Sequence, residues 1–298
     1  MGQAKIKIEG ASKRYGDDVL ALRPVDLTLK ENSFTCLLGP SGCGKSTLLN
    51  MIAGFIPPSE GRILVDDVAV SGAGADRGVV FQEYALFPWR TALDNVAFGP
   101  MIKKKPKAEQ LKIAAHYLAM VGLAGHEGKF PSELSGGMKQ RVAIARALAN
   151  NPSVLLMDEP FGALDAQTRE VLQEELLKIC EAERKTIVFV THSISESIFL
   201  ADQVVVMATR PGAIRAVFDV DLPHPRDRSS VEFVAMEKKI KQMVREEAEV
   251  RAALIGVALT TDEVAEDFLA AVRSMDVQIA KLPRDLPPGL EPAVKLGF

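Results

Sequence analysis

Cysteine is scarce in this sequence, and neither sign of charge dominates it. The three cysteines among 298 residues are odd in number and lack the paired spacing of metal ligands, so neither a disulfide framework nor a zinc site is indicated. Thirty-six lysines and arginines against 39 aspartates and glutamates give a net charge of −3. The basic excess typical of proteins that bind nucleic acid is missing, and we therefore expect no nucleic-acid partner.

Long apolar runs are also missing. The longest mostly apolar stretch, Ala252–Leu259, is far shorter than the roughly 20 residues that span a bilayer, and Met1–Lys7 opens no signal peptide. We therefore expect a chain that stays in the cytosol. Hydrophobic residues make up 47% and charged residues 25%, a balance that excludes disorder for most of the chain. The length predicts either one elaborate α/β domain or a domain with an appendage.

Strand-like and helix-like segments alternate along most of the chain. The strand-like segments are rich in β-branched or apolar residues and lie at Ile6–Ile8, Val25–Leu29, Phe34–Leu38, Ile63–Val65, Val79–Phe81, Val154–Met157, Thr186–Val190, Gln203–Met207 and Ala216–Val220. Apolar residues recur at helical spacing over Ala166–Ala182, as in a helix packed on a sheet. This alternation predicts a sheet of mostly parallel strands. Between Tyr84 and Asn150 only helix-like stretches remain, among them Glu109–Val121 and Met138–Ala149, which predicts a helical insert.

The C-terminal quarter of the chain has a different pattern. Leu-Pro-His-Pro-Arg at 222–226 breaks regular structure, and apolar residues at helical spacing begin at Phe233. A second helix is predicted from Thr260, where a capping box occurs, and a proline-rich tail follows it. We therefore divide the chain into a domain at 1–225 and a helical appendage at 226–298.

A glycine-rich loop stands between a strand-like and a helix-like segment. Residues 39–47 read Gly-Pro-Ser-Gly-Cys-Gly-Lys-Ser-Thr, which fits the phosphate-binding pattern G-x-x-x-x-G-K-[ST] in its usual context. Glycines let backbone N–H groups and a helix N-terminus face bound phosphates. We expect Lys45 to bind the β- and γ-phosphates of ATP and Ser46 to give a hydroxyl ligand to Mg²⁺. The candidate nucleotide-binding residues of the loop are Gly39, Pro40, Ser41, Gly42, Cys43, Gly44, Lys45, Ser46 and Thr47.

Further polar residues follow two other strand-like segments. Val154–Met157 is followed by Asp158 and Glu159, and His192 comes just after Thr186–Val190. In an α/β sheet the ligand site lies at the carboxyl ends of the strands. We expect Asp158 to hold Mg²⁺ through a water molecule, Glu159 to orient and deprotonate the attacking water, and His192 to contact the γ-phosphate. Taken singly, the acids are equally consistent with solvated charges before a turn, and the histidine with a structural role.

A second motif indicates the kind of nucleotide-binding protein that this chain resembles. Residues 134–141 read Leu-Ser-Gly-Gly-Met-Lys-Gln-Arg and stand between the glycine-rich loop and the acidic pair. Over about residues 5–225 the chain resembles the ATP-binding subunits of ABC transporters. The matching motifs are the glycine-rich loop, Gln82, the signature at 134–137, Asp158-Glu159, Gly162-Ala163-Leu164-Asp165 and His192. The resemblance implies an α/β fold of the P-loop NTPase class, with an N-terminal antiparallel β-part, a parallel-rich core sheet, a helical insert at about 84–150 and a C-terminal helical appendage.

The resemblance also implies a dimer. Two copies would pair head to tail, with each ATP between the phosphate loop of one copy and the signature of the other. Ser135, Gly136 and Gly137 would then act in trans, because they open a helix and leave N–H groups free for a γ-phosphate. By the same resemblance Asp165 lies at the dimer seam.

Three more positions take their meaning from the resemblance. Gln82 would be a Mg²⁺ ligand that couples the metal site to the helical insert. Tyr15 would stack on the adenine, although a lone aromatic residue is more often part of a core. Met138 stands where the family commonly has glutamine; because the preceding serine and glycines are intact, we expect altered tuning rather than lost activity.

Residues beyond these motifs indicate a branch of the family. The segments 74–82, 87–90 and 94–99 look like those of importer ATPases for nitrate, sulfonate and taurine. Such a subunit would be peripheral, on the cytoplasmic face of the membrane, and would drive uptake through a separate permease that a periplasmic or extracellular binding protein supplies. Trp89 is either an anchor for that permease or a buried residue of the insert. Two alternatives stay open: a soluble ABC ATPase of a DNA- or ribosome-associated machine, and a nucleotide-binding regulator without turnover.

Overall fold

The structure is a computed structural model that describes residues 3–16, 19–209 and 211–254, with side chains up to residue 245. The predicted helix from Thr260 and the proline-rich tail lie outside the described residues. The strands, in chain order, are β1 Ala4–Tyr15, β2 Val19–Lys30, β3 Phe34–Leu38, β4 Glu60–Val65, β5 Val68–Ala69, β6 Arg77–Val80, β7 Val154–Asp158, β8 Thr186–Thr191, β9 Gln203–Ala208 and β10 Ala213–Asp219.

These strands form two sheets. The smaller sheet has the antiparallel order β2-β1-β4-β5, and the larger sheet has the order β10-β9-β3-β8-β7-β6. Within the larger sheet every neighbouring pair is parallel except β10 and β9. The predicted antiparallel N-terminal part and parallel-rich core sheet are both confirmed.

Helices occupy four of the connections between the strands, and α8 follows β10. In chain order they are α1 Lys45–Ala53, α2 Ala92–Val96, α3 Phe98–Ile102, α4 Lys107–Met120, α5 Gly136–Leu148, α6 Ala166–Glu183, α7 Ile194–Leu200 and α8 Val231–Leu254. Residues 84–150 contain α2 to α5 and a short 3-10 turn but no strand, so this insert is helical as predicted. None of the helices in the described part of the chain has the length and hydropathy needed to cross a membrane.

Alternate side chains of the larger sheet enter two separate hydrophobic clusters. On β8, Ile187 and Phe189 pack in a cluster with residues of α5, α6 and α7. Val188 and Val190 point to the other face, where they pack with α1 and the smaller sheet. Because side chains alternate along a strand, a strand buried on both faces must be apolar throughout. This explains why β8 reads as a continuous apolar run with polar residues only at its ends.

The first turns of α8 belong to the same core. Phe233 and Ile240 are 1% and 0% exposed and lie in the cluster that contains Phe199 of α7 and Phe218 of β10. The ammonium group of Lys239 lies 5.2 Å from the centroid of the Phe218 ring. Helix α8 therefore covers an apolar surface of the large sheet and its helices, while the division of the chain after residue 225 stays a prediction.

Candidate nucleotide site

The carboxyl ends of β3, β7 and β8 meet at one edge of the larger sheet, which we call the carboxyl edge. Leu38 at the end of β3 pairs with Thr191 of β8, and Asp158 at the end of β7 pairs with Val190 of β8. Parallel strands present the same ends at the same edge, so the polar residues that follow them come together. The carboxyl edge is thus where the structure assembles most of the predicted site residues.

The glycine-rich loop connects β3 to α1 at this edge. Gly44 has a φ of +89°, in the left-handed region that a side chain disfavours. Lys45, the first residue of α1, is buried, and its ammonium group donates to the backbone oxygens of Gly39 at 2.6 Å and Pro40 at 3.0 Å. A buried cation beside a helix N-terminus and a loop rich in N–H groups forms a site for an anion such as phosphate.

Ser46 and Asp158 form a pair of oxygen ligands next to that loop. The Ser46 hydroxyl donates to Asp158 Oδ1 at 3.1 Å. Burial raises the pKa of the Asp158 carboxyl, and the hydrogen bond from Ser46 acts in the opposite direction. Two neighbouring oxygen donors suit Mg²⁺, which completes its shell with water and nucleotide phosphates. Within the ranges that the structure describes, no three His, Cys, Asp or Glu residues form a metal site of their own.

Glu159 lies between a histidine and a lysine. Its backbone is left-handed, with a φ of 40°, and its N–H donates to the Val190 oxygen at 3.1 Å. One carboxylate oxygen is 3.0 Å from His192 Nδ1 and the other is 3.8 Å from Lys45 Nζ. The hydrogen bond with His192 is the largest cause of a lowered Glu159 pKa, and burial opposes it. The arrangement holds an ionised carboxylate beside the phosphate loop, where it can orient a water molecule.

Gln82 reaches the same region from the neighbouring strand. It follows β6, which is paired with β7 through Val80 and Met157. A side-chain carbon built on Gly162 would lie 3.7 Å from the Gln82 amide nitrogen. The N–H of Gly162 donates to the Glu159 backbone oxygen at 3.0 Å, so Gln82 lies beside the turn that follows Glu159.

The predicted signature lies at the N-terminus of α5 and contacts α6. Ser135 caps α5 by accepting a hydrogen bond from the Met138 N–H at 3.3 Å. A Cβ atom on Gly137 would lie only 2.8 Å from Thr168 Cγ2, so glycine permits this close approach of the helices. Asp165 caps α6 in the same way, by accepting a hydrogen bond from the Thr168 N–H at 3.0 Å. Hydrogen bonding with Thr168 lowers the Asp165 pKa.

The predicted site residues therefore form two groups. At the carboxyl edge Glu159 contacts both Lys45 and His192, and Ser46 contacts Asp158. The signature and Asp165 share a second location, where the N-termini of α5 and α6 lie side by side. The expectation that the signature acts on a nucleotide of a second copy is consistent with this separation and stays a prediction.

Three other residues of the sequence analysis are placed by the structure. Tyr15 ends β1 and is 46% exposed, with the Lys13 ammonium 5.4 Å from its ring centroid. Trp89 is 72% exposed, which favours a contact residue over a buried residue of the insert. Cys43 is buried, and burial raises the pKa of its thiol, so it lacks the thiolate character of a reactive cysteine.

A buried polar network that was not predicted from the sequence lies next to His192. The Thr191 hydroxyl donates to Glu196, and the Gln173 amide donates to the other Glu196 oxygen at 2.7 Å. Burial raises the Glu196 pKa, and the bonds from Thr191 and Gln173 oppose that shift. Ser193 and Glu196 have the spacing of a capping box, a signal available in the sequence. The Ser193 hydroxyl does cap α7, but the Glu196 side chain turns inward instead of back to the cap.

Known ATP-binding proteins of transport systems are similar to this chain in sequence. The family model described as ABC transporter matches residues 22–162. An uncharacterized ABC transporter ATP-binding protein of Methanocaldococcus jannaschii is 53% identical over 82% of this chain and 93% of its own length. The taurine import ATP-binding protein TauB of Rhizobium johnstonii is 53% identical over 72% and 84% of the two chains. The bicarbonate transport ATP-binding protein CmpD of Synechocystis is 49% identical over 76% and 83%.

Solved structures have the same fold. A dimeric post-hydrolysis state of the ATP-binding cassette MJ0796, bound to ADP and Pi, is 35% identical and aligns with a TM-score of 0.64 over 73% of this chain and 100% of that one. The cbiO1 protein of Clostridium perfringens, part of the ABC transporter complex cbiONQ, is 28% identical and aligns with a TM-score of 0.68 over 85% and 97%. The predicted fold class is confirmed.

Proposed function

The chain belongs to the ABC transporter family as an ATP-hydrolysing subunit of the importer branch, and from that premise we propose that it powers uptake of nitrate, a sulfonate or taurine through a separate permease. The observation that carries the ATPase role is the contact of Lys45, Glu159 and His192 at the carboxyl edge, next to Ser46 and Asp158. In this proposal the solute passes through the permease and does not touch this subunit, so the solute class is argued from the relatives alone. They include a taurine importer and a bicarbonate transporter, and they favour transport over a DNA- or ribosome-associated machine.

In this proposal the loop residues bind the phosphates. Lys45 exchanges its bonds to the Gly39 and Pro40 oxygens for the β- and γ-phosphates, to which its buried charge is attracted. Ser46 and Asp158 would hold Mg²⁺, Asp158 through a water molecule, and Gln82 would be a further ligand. When bound, the ion neutralises phosphate charge that develops during transfer.

Glu159 and His192 serve the hydrolytic step. The Glu159 carboxylate orients the attacking water and accepts its proton; the hydrogen bond with His192 lowers the pKa of this carboxyl and so favours the ionised form that this role needs. His192 fixes the direction of that carboxylate and contacts the γ-phosphate. Gln82 lies beside the turn after Glu159 and couples the metal site to the helical insert.

A second copy completes each site. Ser135, Gly136 and Gly137 open α5 and offer N–H groups to the γ-phosphate held by the partner copy. Asp165, at the adjacent N-terminus of α6, lies at the seam between the copies. The dimeric state of the similar MJ0796 cassette supports this pairing.

The membrane partners complete the proposed complex. The subunit is peripheral, on the cytoplasmic face, and contacts a permease through the surface that carries Trp89, which packs beside Phe87 with ring centroids 5.9 Å apart. Exposed aromatic residues next to an apolar neighbour are frequent anchors of protein interfaces. A binding protein on the other side of the membrane delivers the solute to the permease.

The proposal is tested by purifying the Glu159→Gln protein from detergent-solubilised native membranes in the presence of MgATP. The substitution keeps the side-chain shape but removes the carboxylate, so ATP should stay bound and the closed dimer should accumulate. Mass spectrometry should then identify a permease with several membrane spans. Glu183→Gln, at the opposite edge of the sheet, is the matched control and should behave as the parent protein. If every partner that is recovered lacks membrane spans, the transport role is overturned.

The solute class needs its own measurement. Native cells in which Glu159 is replaced by glutamine should lose uptake of labelled nitrate, an alkanesulfonate or taurine, whereas cells with Glu183→Gln should retain it. Loss of bicarbonate uptake alone would contradict the proposed solute class and leave the transport role intact.

A further inference from the structure

A set of polar contacts joins the segment after β10 to the loop that carries His192. Arg228 donates from Nη2 to the Gln173 side-chain oxygen on α6 and from Nη1 to Ser195 Oγ on α7, the second at 3.2 Å. Its guanidinium carbon lies 4.2 Å from the centroid of the Phe199 ring. One side chain of the C-terminal segment therefore contacts both helices that flank the His192 loop.

Gln173 passes this contact to a buried carboxylate. Gln173 is 1% exposed, and its amide nitrogen donates to Glu196 Oε1 at 2.7 Å. A glutamine amide has a donor nitrogen and an acceptor oxygen on opposite sides. Because Arg228 donates to the Gln173 oxygen, the Gln173 nitrogen is turned toward Glu196. Glu196 is 7% exposed, and a carboxylate so buried needs hydrogen-bond donors.

Thr191 connects the carboxylate to the site. Its hydroxyl donates to Glu196 and accepts from the Ser193 N–H at 3.0 Å. The residues on both sides of His192 are thus bonded to each other, and His192 itself lies 3.0 Å from Glu159. A change at Arg228 reaches the imidazole through three side chains and one backbone turn.

The segment that carries Arg228 is itself fixed in place. The buried guanidinium of Arg226 donates to the backbone oxygens of Ile198 at 2.5 Å, Ala201 at 2.6 Å and Leu222 at 2.9 Å. The first two oxygens lie at the C-terminus of α7, where a cation is favoured by the helix dipole. Arg226 therefore attaches the segment to α7 and leaves Arg228 beside Gln173.

We propose that Arg228 is a positioning residue for His192, so that the C-terminal segment takes part in ATP turnover. The inference rests on the role proposed above for His192. Arg228 acts through Gln173, Glu196 and Thr191, and the described contacts of this set do not include the phosphate loop. Loss of Arg228 should therefore slow turnover while ATP binding changes little.

The test compares steady-state MgATP hydrolysis by the full chain and its variants. Arg228→Ala should lower kcat about tenfold and change KM for MgATP less than about twofold. Arg228→Lys, which keeps one charged donor, should recover part of the loss. Lys239 of α8 is another cation that contacts an aromatic ring, that of Phe218. Lys239→Ala should leave both constants unchanged. The Arg228→Ala/His192→Ala protein should be no slower than His192→Ala alone, because Arg228 acts only through His192.

A second readout does not depend on activity. The four histidines are labelled with ¹⁵N, and the His192 ring signals are assigned by their absence in His192→Ala. They should move in Arg228→Ala, return toward the parent position in Arg228→Lys, and stay unchanged in Lys239→Ala. If the alanine variant folds poorly, the lysine variant carries the test and should show an intermediate kcat and an intermediate shift.

Two results would overturn the inference. One is an Arg228→Ala protein with the kcat and His192 signals of Lys239→Ala. The other is an effect of Arg228→Ala that multiplies in full with that of His192→Ala. A parent protein without MgATP hydrolysis, or a His192→Ala protein with parental kcat, would instead contradict the proposed function, while the His192 signals would still decide whether Arg228 positions the ring.

Discussion

Two lysine–glutamate pairs stand at opposite edges of the larger sheet with nearly the same geometry. At the carboxyl edge Lys45 Nζ lies 3.8 Å from a Glu159 oxygen, and at the other edge, the amino edge, Lys185 Nζ lies 3.7 Å from a Glu183 oxygen. Both glutamate side chains are 19% exposed. The distance and burial of the pairs therefore give no reason for one to be catalytic and the other not.

The helices make the difference. At the carboxyl edge α1 and α7 begin, and their N-termini present partial positive charge. At the amino edge α5 and α6 end before β7 and β8, and partial negative charge meets Lys185, whose ammonium also donates to Asn151 at 2.7 Å. Both lysines have protein partners, but we propose that only the carboxyl edge binds a phosphate, because helix N-termini there add partial positive charge, whereas helix C-termini add partial negative charge at the amino edge.

The largest expected difference between the edges concerns the two glutamates. Glu159→Gln removes the proposed base and should lower kcat of ATP hydrolysis by about 10²–10⁴-fold. Glu183→Gln removes a carboxylate of equal burial and should leave kcat within about twofold. Purified proteins are compared at saturating MgATP. Equal loss in both variants would show that the edges do not differ in the way described.

Replacement of Lys45 and of Lys185 should have different effects on the affinity for ATP. Lys45→Ala removes the buried cation of the loop and should weaken ATP binding by about 30-fold or more, which corresponds to at least 2 kcal/mol. Lys185→Ala should leave ATP affinity unchanged, because its charge meets Glu183 and Asn151. Equilibrium binding of a fluorescent ATP analogue measures both, and parental affinity in Lys45→Ala would count against a phosphate site in this loop.

Much of the carboxyl edge could be predicted from the sequence because its signals are local. The glycine-rich loop and the acids after β7 each lie within a few residues of a strand end, and the parallel sheet brings such ends together. The mostly parallel sheet follows from the alternation of strands and helices, and the P-loop NTPase class follows from the family resemblance. Roles of individual site residues stay predictions, because they depend on a bound nucleotide.

Other features could not be predicted because their partners are far apart along the chain. Gln173 is 23 residues from Glu196 and 55 from Arg228, and no periodic pattern links such positions. Long-range side-chain networks of this kind become evident only in the tertiary structure.

The two-residue strand β5 was not predicted for a different reason. Its hairpin turns through Asp66 and Asp67, both with positive φ, where asparagine or glycine is the usual signal.

A serine at each edge sharpens the comparison for the metal. Ser46→Ala removes a proposed Mg²⁺ ligand and should raise the Mg²⁺ concentration for half-maximal ATPase activity about tenfold. It also removes the bond that lowers the Asp158 pKa, while burial still raises that pKa. The carboxylate then takes up a proton at higher pH, so the defect should be larger at pH 6 than at pH 8.

The control for this experiment is Ser153→Ala at the amino edge. Its hydroxyl donates to the Asp76 backbone oxygen at 3.3 Å, so the substitution removes a hydrogen bond of similar length without touching the site. Its Mg²⁺ requirement should match that of the parent protein at both pH values. A Ser46→Ala defect that is independent of pH would argue against the coupling to Asp158.

The smallest expected difference concerns the two threonines at the ends of β8. Thr186 and Thr191 are 1% and 2% exposed, and each hydroxyl oxygen accepts a backbone N–H, from Asn32 at 2.9 Å and from Ser193 at 3.0 Å. Valine at either position should lower the free energy of unfolding by about 1–2 kcal/mol, since the backbone N–H loses its acceptor. Urea denaturation measures this loss.

Only the threonine at the carboxyl edge should affect turnover. Thr191→Val also removes the donor to Glu196 and loosens the backbone around His192, so kcat should fall about threefold to tenfold. Thr186→Val should keep the parental kcat although it also loses stability. If both variants lose stability and neither loses activity, the polar network serves the fold alone, and the two edges differ only in the residues that meet the nucleotide directly.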